Sequence, residues 1–183
     1  MTAKRAFLIT GHPGCGKTTL VRRLVDELGV PAGGFYTQEI RTRGRREGFG
    51  ITTLDGETAT LASVNIAGGP RVSRYGVNPA AMDEVATPAV ERAIADARLI
   101  VIDEIGKMEL LSNRFRQAVL AALECGKPVL ATIMLASHPW ADALKRRPEV
   151  SLVVLTEANR AQVAADLLAQ VRQWLAEDAA RPR

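Results

Sequence analysis

The sequence predicts an α/β fold with three layers and a mainly parallel central sheet. Three observations carry this. Short β-favouring runs alternate with stretches of helical periodicity along most of the chain. Residues 99–102, Leu-Ile-Val-Ile, are apolar without alternation, the mark of a strand covered on both faces. A glycine-rich turn over residues 11–16 joins the first strand directly to the first helix.

Each element follows in order. Residues 5–10 are short, apolar and β-favouring, so they read as a strand. Leu20, Val21, Leu24, Val25 and Leu28 recur at helical spacing, which predicts a helix over 17–28, stopped by Gly29 and Pro31. Between 33 and 64 the texture changes to Gly, Thr and alternating apolar residues. That change predicts a β-rich insertion with strands at 34–40, near 49–54 and at 58–64, and a basic turn after the first. Helix returns over 79–97, with Pro88 predicting a break and a fresh N-terminus. A strand at 98–103, a helix at 113–125 and a strand at 128–134 follow. A short helix near 139–145, a strand at 150–155 and a helix at 159–175 complete the pattern, and the AEDAARPR tail is expected to fray. The expectation is one domain over residues 1–183, with the β-rich insertion at about 33–64.

Composition narrows the function classes. The 183 residues are 47% hydrophobic and 24% charged, ordinary globular values. No apolar run approaches the roughly 20 residues that span a bilayer, and the start MTAKRAFLIT lacks a signal peptide's apolar region. Cys15 and Cys125 form neither a metal-ligand spacing nor a disulfide scaffold. The expected setting is soluble, reducing and cytoplasmic, with no membrane partner and a monomer favoured. The net charge of +4 and pI near 9.4 favour anionic partners. Arg41, Arg43, Arg45 and Arg46 form the densest basic run, which reads first as a solvated hairpin tip. Nucleic acid gains no support from motif, because no aromatic residues interleave with these arginines.

Gly11-His12-Pro13-Gly14-Cys15-Gly16-Lys17-Thr18 fits G-x-x-x-x-G-K-[ST] at every fixed position, between a strand and a helix. Glycines let successive N–H groups turn inward as an anion nest, and the helix N-terminus adds further donors and positive dipole. Such a loop cradles a nucleoside triphosphate. Lys17 is expected to reach the β- and γ-phosphates, Thr18 to offer its hydroxyl to Mg²⁺, and Thr19 to add an α-phosphate contact. His12 and Cys15 occupy variable positions and read mainly as tolerated loop residues. Cys15, near a helix N-terminus, is nonetheless expected to be open to alkylation.

The second constellation is Val101-Ile102-Asp103-Glu104-Ile105-Gly106-Lys107, an apolar run ending in two carboxylates. Burying such charges alone would cost several kcal/mol or more, so a cation is implied. Asp103 is placed where a Walker B aspartate belongs, holding Mg²⁺ opposite Thr18. Glu104, beyond the strand end, can orient or deprotonate a water in line with the γ-phosphorus. Ile102, Ile105 and Gly106 frame the pair. Glu109 is a weaker candidate that could simply charge the next helix start. Asp103 to Gly106 also reads as D-x-x-G, but N-K-x-D is absent, so strict GTP specificity has no support.

On these residues the chain resembles the broad-specificity P-loop nucleoside-triphosphatases with thermophilic and human cancer-related members. The resemblance rests on GHPGCGKTTL at 11–20, GGFYTQEIR at 33–41, GFGI at 48–51, YGVN at 75–78, VIDEIGKMEL at 101–110 and LTEANR at 155–160. It implies a RecA/ASCE-like P-loop NTPase fold and slow, Mg²⁺-dependent hydrolysis of ATP, GTP, CTP and UTP to diphosphate and phosphate. It also implies an intervening strand at 128–134 and a core order 5-1-4-3-2, with Thr132 aimed at the phosphates. Slow turnover fits the lack of an assignable arginine finger among Arg114, Arg116, Arg146 and Arg147. Asn159 and Arg160 could contact the base, or could serve as a helix cap and a solvated charge. The alternatives are a P-loop kinase for a nucleotide, RNA end or small metabolite, and a non-enzymatic nucleotide switch.

Overall fold

The structure is a computed structural model and describes residues 4–180. The first half holds β1 (Ala6–Thr10), α1 (Lys17–Leu28), β2 (Ala32–Thr42), β3 (Arg45–Thr53), β4 (Thr58–Ser63), β5 (Arg71–Val72) and β6 (Tyr75–Val77). The second holds α2 (Pro79–Ala81), α3 (Thr87–Asp96), β7 (Leu99–Ile105), α4 (Asn113–Glu124), β8 (Val129–Ile133), α5 (Pro139–Lys145), β9 (Val150–Val154) and α6 (Arg160–Ala180). The nine strands make one sheet in the order β5-β6-β4-β3-β2-β7-β8-β1-β9. Pairing is parallel from β9 through β1, β8 and β7 to the first half of β2. Beyond that it is antiparallel. The core order is the one the resemblance implied, with β8 between the glycine-loop strand and the acidic strand.

Burial explains the missing alternation in the central strands. Ala6 and Leu8 of β1, with Ile100 and Ile102 of β7, face a core closed by Val90 of α3 and Phe115 of α4. Phe7, Ile9, Leu99 and Val101 face the opposite core, closed by Leu24 of α1 and Val171 of α6. Both faces are dry, so both must be apolar.

Three expectations need correction. Pro88 stands in the first turn of a new α-helix, as expected, but it does not interrupt the helical path. A π-helical stretch, Met82–Ala86, carries α2 into α3, and Thr87 keeps helical angles of φ −62° and ψ −49°. The wider turn absorbs a residue that cannot donate an N–H. Residues 176–180 do not fray. They extend α6, and the buried Arg5 donates to Trp174 O at 3.0 Å and pairs with Asp178 at 2.5 Å, tying this end of the helix to β1. The remaining three residues of the tail lie outside the described part. Finally, the antiparallel extension runs past residue 64 through β5 and β6, which the sequence reading left unassigned.

Parallel sheets bind ligands beyond the carboxyl ends of their strands. Here β1 and β7 bring the glycine loop and the acidic doublet to that same end. Among the described residues no helix is long and apolar enough to cross a membrane.

Candidate active site

The loop between β1 and α1 has the backbone its glycines allow. Gly16, the residue before α1, has φ 98°, a left-handed conformation that favours glycine. Gly11 is closed in by contact: a Cβ there would meet Leu155 O at 2.5 Å and Cys15 Sγ at 2.8 Å. Lys17 arches over the loop and donates to Gly11 O at 2.9 Å and His12 O at 3.2 Å. Its ammonium is thereby held above the nest, where a phosphate chain would lie. His12, Pro13, Gly14 and Thr19 are exposed along the loop. Cys15 is not. It is 7% exposed and packs with Ile9 and Leu20, so the expected alkylation-prone thiol is a core side chain.

Asp103 sits on β7 at 1% exposure, with Ile102 and Ile105 fully buried about it. Thr132 of β8 donates its hydroxyl to Asp103 Oδ1 at 2.5 Å, while Oδ2 is buried with no hydrogen-bond partner. Thr132 therefore orients the carboxylate. Burial pushes the Asp103 carboxyl above its ordinary range, while the hydroxyls of Thr132 and Thr18 and the charges of Arg22 and Lys17 pull it down. The peptide from Asp103 to Glu104 is cis.

Glu104 lines two cavities that share Lys17. One, of about 450 Å³, runs along Gly106, Lys107, Met134 and Leu135. The other, of about 660 Å³, runs from Thr18, Thr19 and Arg22 to the β2–β3 hairpin. Burial raises the Glu104 carboxyl, the Asp103 charge adds to this, and Lys17 opposes it. Glu109 is buried too and accepts the Gly106 N–H at 3.1 Å. Burial, then the Glu104 charge, pushes it up to about 8. Gly106 is wedged between the two acids, since a Cβ there would lie 2.9 Å from Glu109 Oε2 and 3.2 Å from Glu104 Oε1.

The opening of α6 divides its two candidates. Asn159 is consumed in a cap: its Oδ1 accepts from Thr156 N at 2.8 Å and its Nδ2 donates to Val154 O at 2.9 Å. Arg160 instead lies against the glycine loop, its Nε 3.4 Å from where a Gly16 Cβ would stand. Of the four arginines considered for the terminal phosphate, three are held elsewhere. Arg114 pairs with Glu91, Arg116 donates to Leu110 O, and Arg147 pairs with Glu124 and Glu149. Arg146 ends α5, exposed. Besides Lys17, the cations that line the cavities are Lys107, Arg22 and Arg46, none of which the sequence predicts at the site. Arg22 follows Thr18 by four residues, one helical turn, and that spacing was the available signal.

A first strand running through a glycine-rich loop into a helix, with an acidic strand two places away in a parallel sheet, defines a P-loop nucleoside-triphosphate-binding protein. The sequence model of the NTPase family matches residues 6–168, and the chain belongs to that family of nucleoside-triphosphatases, enzymes that hydrolyse nucleoside triphosphates. It is 44% identical over 166 residues to nucleoside-triphosphatase THEP1 of Thermotoga sp. (strain RQ2), covering 91% of this chain and 95% of the relative. The crystal structure of THEP1 from Aquifex aeolicus superposes with a TM-score of 0.83 at 39% identity, covering 91% of this chain and 98% of that one. The solution structure of a human cancer-related nucleoside triphosphatase does so at 0.78 and 36% identity, covering 98% and 100%.

Proposed function

We propose that the chain cleaves nucleoside triphosphates to diphosphate and phosphate, slowly, with Mg²⁺ and with little selection of the base. The observation that carries this is the Asp103 carboxylate, buried, fixed at Oδ1 by Thr132 and open at Oδ2. An orphaned buried oxygen suits a hard cation, and Asp103 with the Thr18 hydroxyl would hold Mg²⁺. Bound there, Mg²⁺ would neutralise charge between the β- and γ-phosphates.

The chain's own groups supply the rest. Gly11 to Thr18 offers backbone N–H groups to the phosphates, and Lys17 leaves its two carbonyls to follow them. Glu104 orients a water and takes its proton as the oxygen attacks the γ-phosphorus. The bond from that phosphorus to the bridging oxygen breaks, and the electron pair leaves on the diphosphate. Ile102, Ile105 and Gly106 hold the doublet in register.

Arg160 is the one candidate base contact at the loop, and an arginine face stacks on any base. That supports broad specificity. Three of four candidate arginines are engaged away from the cleft, which supports slow turnover, since an arginine finger is worth roughly 10³–10⁵ in rate. The chain is read as one domain, with β3 to β6 as its β-rich extension.

The test is phosphate release from ATP, GTP, CTP and UTP with and without Mg²⁺, for the wild type and Glu104→Gln. Mg-dependent release from all four, abolished in Glu104→Gln while Mg·ATP still binds, is expected. Full activity of that variant would refute the water-activating role.

A further inference from the structure

The hydrolytic reading uses one end of the cavity of about 660 Å³, at Lys17, Thr18 and Glu104. The other end lies on the β2–β3 hairpin, walled by Thr37, Gln38, Glu39, Arg46 and Phe49. The volume is within the roughly 300–1,000 Å³ of small-molecule sites. Its position follows from the sheet. With the base near α6, after β9, and the terminal phosphate at β7, the reacting end of the triphosphate points towards β2 and β3. This step rests on the function proposed above.

Two guanidinium groups from different elements enter this space, each fixed over a ring. Arg22 of α1 lies 4.6 Å from the Tyr36 ring centroid and has no ion-pair partner among the described residues. Arg46 of β3 lies 5.4 Å from that of Phe49, bonded to Tyr75 Oη at 2.9 Å and Glu39 at 2.8 Å. Glu39, which also lines the cavity, divides its single charge between Arg46 and Arg41. Thr37 and Gln38 have no side-chain hydrogen bonds among the described residues. Prefixed arginines and idle polar groups form a site for an anion, because planar guanidinium forks match phosphate oxygens.

We infer that this end of the cavity is a phosphoryl-acceptor site for a small phosphomonoester, whose phosphate sits between Arg22 and Arg46 with its organic part along Gln38 and Phe49. An anionic oxygen of that phosphate attacks the γ-phosphorus. The bond to the bridging oxygen breaks and its electron pair leaves on the nucleoside diphosphate, so the acceptor gains a phosphoanhydride. No proton moves, and Glu104 is not needed as a base. The arginines offset the repulsion between the two phosphates.

The experiment gives the full chain Mg²⁺ and γ-labelled ATP with AMP, GMP, CMP, UMP or glycerol 3-phosphate, and separates the products. Label in the phosphorylated form of at least one acceptor is expected. Arg46→Gln and Gln38→Glu, the second an exposed and nearly isosteric change, should each cut transfer at least tenfold. Glu104→Gln should keep transfer while release to water falls. Label found only in inorganic phosphate with every acceptor overturns the inference and leaves hydrolysis standing. Transfer unmoved by both hairpin variants overturns it as well. Absence of any phosphate release from the wild type without acceptor would instead count against the hydrolytic reading.

Discussion

Thr132 and Asp103 meet across adjacent parallel strands, the hydroxyl donating to Oδ1 at 2.5 Å, so that one carboxylate oxygen is held and the other left open. Thr132→Val keeps the shape and removes the donor. The buried carboxylate then loses the bond that fixes Oδ1, a loss of about 1–3 kcal/mol. Urea unfolding without Mg²⁺ should show that destabilisation, and the Mg²⁺ needed for half-maximal hydrolysis should rise several-fold. An unchanged Mg²⁺ dependence would mean that Thr132 does not orient the metal-facing oxygen.

This pair also marks where the sequence stopped being legible. The loop at 11–18 could be read because its chemistry fixes residue types at fixed offsets, and Asp103 because a carboxylate ending an apolar strand needs a cation. Thr132 was visible as a strand threonine, but its target depended on which strand lies beside β7 and in what register. Arg22 and Arg46 were invisible as a pair, being brought to one cavity only by the sheet order. The sequence predicts a solvated tip for the arginines of 41–46. All four are exposed, as that reading has it, and Arg46 in addition lies over Phe49 and bonds Tyr75.

Glu109 gives a pH signature. Its carboxyl titrates near 4.5 when unfolded and is pushed up to about 8 when folded, by burial and then by Glu104. Between those values the folded protein binds the extra proton, so stability from this group falls as pH rises and levels off above about 8. Glu109→Gln keeps an acceptor for the Gly106 N–H and cannot ionise. Urea midpoints from pH 5 to 8.5 should show the variant gaining on the wild type as pH rises. Parallel curves would mean that Glu109 is ionised throughout.

Thiol chemistry should separate the two cysteines. Cys125 is exposed after α4, whereas Cys15 is packed beneath the glycine loop. A maleimide applied to the native protein should label Cys125 quickly, with nucleotide hydrolysis unchanged. Cys15 should react only as urea opens the fold. Peptide mapping after brief labelling decides it, and early modification of Cys15 would show that the loop opens readily in the native state.

The loop glycines should fail in different ways. At Gly11 an added methyl meets the Leu155 carbonyl at 2.5 Å, backbone that cannot move without disturbing the β1–β9 pairing. At Gly14 nothing lies within 4 Å, but φ is +81°, so alanine there carries only conformational strain of about 1–2 kcal/mol. Gly11→Ala should therefore unfold at lower urea than Gly14→Ala, and both should weaken binding of a nonhydrolysable triphosphate. Matched unfolding and binding curves would check this. A Gly11→Ala protein as stable as the wild type would mean that the β9 end yields, and that the loop is not clamped against Leu155.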